Sequence, residues 1–187
     1  MNHAASTEAA GLNEPTSLEM KVLAWVSRAK SLWLKRSRPQ SSSVSEDFAR
    51  GDIETGKWLV SFTDFEISPV VIRQLSECYH FLSTKNMDYF LFSFLRGNIL
   101  NRREADVSVE LAADYILRGR VSDLTFRFNR EELQLILEYF WLIAEVRGRA
   151  IDFEDAAKSR LMEALQLQEE ANAKRCHSCQ EPNAINE

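Results

Sequence analysis

The chain has 187 residues, with 23 Lys and Arg against 28 Asp and Glu, which gives a formal net charge of −5. This acidic balance argues against a general nucleic-acid-binding protein, because such proteins carry excess positive charge. A hydrophobic share of 45% with only 6 Gly and 4 Pro is typical of one globular domain. No apolar run approaches the roughly 18 residues of a spanning helix, and the N-terminal residues do not resemble a secretory signal. We therefore expect a cytoplasmic protein.

The N-terminal third begins with small and polar residues. Residues 1–17 hold too few apolar side chains to offset the entropy of ordering, so they predict a flexible tail. From Leu18 to Leu34, apolar residues recur at three- and four-residue spacing, which predicts an amphipathic helix with Thr16 or Ser17 as its N-cap. The basic stretch 18–38 ends before Pro39, which blocks further helix, and residues 39–47 read as a linker.

Aromatic and aliphatic residues concentrate after Phe48, so 48–175 is the predicted helical core domain. The spacing of apolar residues and caps predicts helices over 69–80, from Ser83 to near Gly97, and over 108–118. Two more follow, one from a capping box at Asn129 to Gly148 and one from Asp152 that frays past Ala173. Residues 176–187 form a second flexible tail. The fold class is all-α: a compact helical domain of about six helices with flexible tails at both ends.

Two of these helices are apolar on more than one face and should form the centre of the core. The residues predicted to be nearly inaccessible are Phe90, Phe94, Leu137, Phe140 and Trp141. The alternating segment 58–65 permits a short strand, but without an obvious partner strand it is predicted as a loop or short helix.

One part of the chain resembles a bacterial family of uncharacterised small helical proteins. The matching phrases are Phe81-Leu82-Ser83, then Tyr89-Phe90-Leu91 with Phe94-Leu95, and later Phe128 with Glu131-Glu132-Leu133 and Ile136-Leu137-Glu138-Tyr139-Phe140. The resemblance covers about half of the chain. Because that family carries no established activity, the resemblance implies a helical fold and no particular function.

The basic helix is the predicted binding site. Leu18 to Arg38 holds six cations and one acid in a protein that is acidic as a whole. Cations with tryptophans suit an acidic protein partner, and they suit an anionic membrane surface equally. The predicted partner-binding residues are Lys21, Trp25, Arg28, Lys30, Trp33, Lys35 and Arg36. The alternative is that both tryptophans pack this helix onto the core.

Cys176-His177-Ser178-Cys179 is the sharpest local motif. Two thiolates at this spacing are half of a tetrahedral zinc site or a redox dithiol, and completion would need Cys78, His80 or His3. The alternative is an unstructured tail with no metal, so Cys176 and Cys179 are only weak metal candidates. With no recognisable catalytic motif, the sequence predicts a non-enzymatic protein without cofactor that binds another protein, as an adaptor or immunity-like component. Its oligomeric state is left open.

Overall fold

The computed structural model describes residues 15–38, 65–68, 71–72, 84–100, 105–148 and 152–178. Within these ranges the chain forms six α-helices and no strand, so the all-α prediction is confirmed. The helices are α1 (Ser17–Leu34), α2 (Thr84–Leu100), α3 (Ala105–Leu117), α4 (Val121–Arg127), α5 (Arg130–Arg147) and α6 (Asp152–Ser178).

The five longer helices form a closed ring of neighbours. Going round the ring, α1 packs on α2, α2 on α3, α3 on α6, α6 on α5, and α5 on α1. The short helix α4 also packs on α6. The apolar stripe of each helix therefore faces a common interior, and this interior is the hydrophobic core.

Capping residues set the ends of two helices as the sequence predicts. Thr16 accepts a hydrogen bond from the backbone N–H of Glu19, and the Glu19 side chain accepts one from the backbone N–H of Thr16. Asn129 and Glu132 form the same reciprocal box at the start of α5. Gly148 ends α5 in the left-handed conformation, with φ of 73°, which costs glycine nothing.

Helix α2 is the buried helix that its sequence predicts. Phe90, Phe92 and Leu95 are fully buried, and even Asn86, Ser93 and Asn98 lie inside. The prediction that α2 ends near Gly97 is wrong, because the helix continues to Leu100. Gly97 serves packing instead, since a Cβ atom at this position would lie 1.7 Å from Cδ1 of Ile72.

Other boundaries also differ from the sequence prediction. Helix α3 begins at Ala105 rather than at residue 108, and the sequence does not predict the seven-residue α4. Helix α6 continues to Ser178, so residues 176–178, which were expected in a flexible tail, are helical. Residues 1–14 of the predicted tail, the linker 39–47, most of the 69–80 helix and residues 58–64 lie outside the described residues. The prediction that the tail extends to residue 17 is wrong, because Thr16 caps α1 and Ser17 begins it.

Most of the predicted core is confirmed, with one clear exception. Phe90, Phe94 and Phe140 are buried and Leu137 is partly buried, but Trp141 is 56% exposed. Helix α5 packs against α1 on one side and α6 on the other. Trp141 falls on its remaining outer face, where the helices on either side leave more than half of it exposed.

Candidate functional site

Helices α1 and α5 pack as an antiparallel pair with a seven-residue repeat. The buried residues of α1 are Val22, Trp25, Ala29, Leu32 and Trp33, and the first four recur at alternating spacings of three and four. The Trp25 indole N–H donates to the carbonyl of Leu135 at 2.8 Å, and its ring lies 5.6 Å from that of Tyr139. This spacing is that of the apolar row in a coiled coil, and through Trp25 the row contacts α5.

We call the contact between α1 and α5 the seam. Three ion pairs flank it in the same seven-residue register. Lys21 pairs with Glu145 at 2.8 Å, Arg28 with Glu138 at 2.6 Å and Lys35 with Glu131 at 3.9 Å. All six side chains are about half exposed or more, so each pair contributes modestly to stability. The cations at 21, 28 and 35 and the acids on α5 have the same spacing, so the observed register forms all three pairs and a shift of one heptad would retain two.

A less exposed pair closes one end of the seam. Arg36 donates from Nε to Glu132 at 2.8 Å, and the side chains of the two residues are only 13% and 9% exposed. The guanidinium also lies 4.9 Å from the ring centroid of Phe128 and donates to the backbone carbonyl of Asp88. Because Glu132 caps α5 as well, this cation joins α1 to the N-terminal ends of α2 and α5.

A second polar network continues from Arg36 across the bundle. Asp88 on α2 accepts from Arg127 on α4 at 2.8 Å and from the Tyr115 hydroxyl on α3 at 2.6 Å. Burial, and then the adjacent Asp88 carboxylate, raise the pKa of Tyr115, so its phenol stays protonated at neutral pH. Burial acts to lower the pKa of Arg127, but the hydrogen bonds and charges of Asp88 and Tyr115 together outweigh it and the pKa is raised. Both groups therefore keep one protonation state around neutral pH, so the network provides constant contacts between α2, α3 and α4.

Two cavities lie on either side of this network. One has a volume of about 430 Å³ and is lined by Arg36, Ser37, Thr84, Lys85, Asp88 and Tyr89. The other has a volume of about 320 Å³ and is lined by Thr84, Met87, Tyr115, Arg118, Gly119, Asp123 and Arg127. Arg36, Asp88 and Arg127 already bind protein groups, so a ligand in either cavity would have to compete with them.

The outer face of α5 presents the exposed indole of Trp141. The Lys158 ammonium, from α6, lies 4.3 Å from the ring centroid and is itself hydrogen-bonded to Asp155 at 2.9 Å. The Lys158 side chain is almost fully buried, so its ammonium contacts the side of the ring that faces the protein. Along α5, Glu138 and Glu145 lie one turn before and one turn after Trp141.

We call this region the Trp141 surface. It comprises Glu138, Trp141 and Glu145 of α5 with Asp155 and Met162 of α6. Met162 is 47% exposed and follows Lys158 by one turn on the same side of α6. Sequence reasoning missed this surface because Trp141 lies among apolar residues on a helix that is buried on most sides.

The residues predicted to bind a partner lie mostly within the α1–α5 seam and its flanks. Trp25 and Trp33 are buried, as the packing alternative has it, so a partner could reach neither without displacing α1. Lys21, Arg28 and Lys35 pair with acids of α5, and Lys30 lies 3.5 Å from Glu66. Arg36 is part of the end of the seam. A role for these cations in partner binding stays a prediction.

The cysteine motif is only partly described. Cys176 belongs to the last turn of α6, whereas Cys179 lies outside the described residues. Among the residues that are described, no three His, Cys, Asp or Glu side chains are grouped so as to hold a metal ion. No helix in the described ranges has the length and apolar character needed to cross a membrane.

No protein-family model, curated protein or solved structure matches this chain. The resemblance to a bacterial family of uncharacterised helical proteins therefore stays a prediction.

Proposed function

We propose that the protein acts by binding another protein in the cytoplasm, as an adaptor or immunity-like component without catalytic activity, and that the Trp141 surface is its binding site. The observation that carries this proposal is the 56% exposure of Trp141 on a helix whose adjacent residues are buried. Tryptophan is among the residues most enriched at the energetic centres of protein interfaces.

The neighbours of Trp141 fix the position of its side chain before a partner binds. Phe140 and Leu142 anchor the helix on both sides of Trp141 in the core, and Lys158 supports the ring. A side chain that is already ordered loses little conformational entropy when a partner covers it. The apolar ring is bordered by exposed carboxylates of Glu138 and Glu145, which gives the arrangement of apolar centre and polar rim that interfaces share.

The test is a comparison of two exposed aromatic residues. Immobilised full-length protein is used to capture partners from an extract of its source cells, in parallel with Trp141→Ala and Phe126→Ala variants. Phe126 is 88% exposed on α4 and serves as the matched control. We expect a partner that the parent and Phe126→Ala both retain and Trp141→Ala loses.

The affinity of that purified partner then decides the proposal. Titration calorimetry should show a loss of about 2 kcal/mol for Trp141→Ala, which corresponds to about 30-fold in Kd. If Trp141→Ala binds as tightly as the parent, the Trp141 surface is not the binding site. Circular dichroism of both variants checks that the fold is retained.

A peripheral membrane protein is the second candidate, and the outward face of α1 favours it. The face opposite the seam carries Met20, Leu23 and Leu34, each more than half exposed. Interfacial helices insert such residues between lipid headgroups. Sedimentation with phosphatidylserine vesicles tests this candidate: the parent should sediment and a Leu23→Asp/Leu34→Asp variant should not.

A further inference from the structure

We infer that Lys158 determines the specificity of the Trp141 surface, and that it selects an uncharged apolar side chain of the partner protein. This inference rests on the proposed function, since it names the chemistry of the group that would cover Trp141. The observation that carries it is a buried ammonium against the inner face of an exposed indole, at a surface whose three carboxylates are each ion-paired.

The ion pairs leave this surface without net charge, because each of the three carboxylates binds one cation. The pairs are Glu138 with Arg28 at 2.6 Å, Glu145 with Lys21 at 2.8 Å and Asp155 with Lys158 at 2.9 Å. In the first two pairs the cation is about as exposed as the acid that it binds. A basic segment and an acidic segment of a partner would therefore both have to compete with existing pairs.

The cation of the third pair occupies the inner face of the indole. The Lys158 ammonium lies 4.3 Å from the centroid of the Trp141 ring, and the Lys158 side chain is only 3% exposed. Because this face is covered by a buried group, the 56% exposure of Trp141 comes from the opposite face and the ring edge. A partner therefore meets the outer face of a ring whose inner face already binds a cation.

This arrangement disfavours a second cation on the outer face. A cation is attracted to an aromatic ring by the π electrons, and Lys158 draws these electrons towards the inner face. The two cations would also lie within about 9 Å of each other on either side of an apolar ring. An arginine or lysine of the partner therefore gains less from Trp141 than it would from an indole without a buried cation.

An uncharged apolar side chain meets neither of these costs. It can cover the outer face of Trp141 and also Met162, which is 47% exposed and lies one turn from Lys158 on the same side of α6. Covering both removes apolar surface from water and breaks no ion pair. Phenylalanine suits the site best among such side chains, because its ring can also stack on the indole.

The test follows the indole signals of ¹⁵N-tryptophan-labelled full-length protein by NMR. A Trp141→Phe variant assigns the Trp141 signal among the four tryptophans, and the buried Trp25 and Trp33 serve as internal controls. The probes are capped tripeptides Gly-X-Gly, in which X is phenylalanine, arginine or citrulline. Citrulline keeps the size and the plane of arginine without its charge, so the effect of charge is measured separately from that of shape.

We expect the phenylalanine peptide to shift the Trp141 signal with saturation and to bind the parent at least about fivefold more tightly than the arginine peptide does. The arginine peptide should bind no more tightly than the citrulline peptide. An exposed indole without a buried cation would instead favour arginine over citrulline, because only arginine is a cation.

A variant without the buried cation should change this order. Lys158→Met/Asp155→Asn removes the cation together with its partner, so that no unpaired carboxylate remains beside the ring. The arginine peptide should bind this variant about fivefold more tightly than it binds the parent, and more tightly than the citrulline peptide does. Circular dichroism checks that the fold is retained.

Two control variants keep a cation beneath the ring and should retain the order of affinities seen in the parent. Lys158→Arg preserves the charge at the same position. Lys21→Met/Glu145→Gln removes a different ion pair from the same surface and leaves Lys158 in place.

Several results would overturn the inference. One is an arginine peptide that binds the parent more tightly than the phenylalanine or the citrulline peptide, and this result needs no variant, so it decides even if the double variant fails to fold. A second is an order of affinities that is the same in the parent and in Lys158→Met/Asp155→Asn. A third is a Trp141 signal that none of the peptides moves.

Other occupants of the surface would also be recognised. A Trp141 signal that moves when the protein alone is diluted would identify a second copy, and one that moves only with phosphatidylserine vesicles would identify a membrane; either result contradicts the inference. If the peptides give a negative result while partner capture still depends on Trp141, only the inference about Lys158 fails and the proposed function stands.

Discussion

On the side of α5 that faces α1, the indole of Trp25 is buried with its N–H on the Leu135 carbonyl, and cations meet acids in a fixed register. On the outer side of the same helix, Trp141 is exposed between two glutamates. Both regions combine tryptophan with charge. The difference arises from what covers each face: α1 covers the first, whereas on the second the Lys158 side chain of α6 contacts the Trp141 ring and leaves it 56% exposed. Residue type alone therefore does not distinguish a packing contact from a binding surface.

The largest effect should separate two adjacent residues of α5. Phe140→Ala should lower the free energy of unfolding by about 3–5 kcal/mol, because a fully buried ring is lost and a cavity remains. Trp141→Ala should change it by only about 0.5 kcal/mol, as for other surface substitutions. Urea unfolding followed by circular dichroism measures both values. Equal losses would mean that Trp141 belongs to the core and that the contrast between the two sides is wrong.

The next effect concerns the end of the seam. Arg36→Met should cost about 2–3 kcal/mol, because it leaves the little-exposed carboxylate of Glu132 without its cation. Lys30→Met removes only an exposed and distant pair with Glu66 and should cost less than about 0.5 kcal/mol. Thermal melts of the two variants provide the comparison. A similar small loss in both would show that Arg36 behaves as an ordinary surface cation.

Alkaline pH should weaken the protein through its buried tyrosines. Burial raises the pKa of Tyr139 and of Tyr115, so the folded state retains protons that the unfolded chain releases above about pH 10. Stability from this source is complete below about pH 10 and is lost as the pH rises further, by up to about 1.4 kcal/mol per pH unit and tyrosine. Urea unfolding at about pH 9, 10 and 11 measures the slope.

A matched variant identifies the tyrosines as the cause of this slope. Tyr115→Phe removes one titrating group and should make the decline above about pH 10 shallower, although it lowers stability at neutral pH by removing a hydrogen bond to Asp88. An unchanged slope would assign the alkaline decline to other groups.

The smallest effect tests the register of the flanking ion pairs. Arg28→Glu or Glu138→Arg alone should cost about 0.5–1 kcal/mol, because each change places two like charges together. The double variant restores opposite charges and should recover most of the loss, which a double-mutant cycle measures. Additive losses in the double variant would mean that the pair contributes nothing to the seam.

Much of the helical framework is predictable from local signals. The Asn129 and Glu132 box, the Thr16 cap and Gly148 each act within a few residues, so the sequence contains the whole cause of these helix ends. The full burial of α2 follows equally from its own apolar residues. The end of α2 is not predictable in the same way. Gly97 makes room for the side chain of Ile72, which lies on another segment, and does not end the helix.

The candidate site is less predictable because it depends on which helices are neighbours. The seven-residue spacing of Lys21, Arg28 and Lys35 is visible in the sequence, as is that of Glu131, Glu138 and Glu145. Nothing local says that these two rows meet. The sequence similarly predicts Trp141 as a core residue, because it does not show that α1 and α6 occupy the other sides of α5. The predicted site on α1 and the Trp141 surface therefore differ because the sequence does not show which distant helices pack together.

The shared seven-residue register has a consequence for changes in chain length. Inserting one residue in α1 between Lys21 and Lys35 would rotate everything beyond it by about 100°, so the later cations would leave α5 and the buried Leu32 would leave the core. Inserting seven residues would preserve the facing side while lengthening the helix by about 10 Å. Natural variants of this chain should therefore differ in α1 by substitution, or by whole heptads, and not by single-residue insertions or deletions.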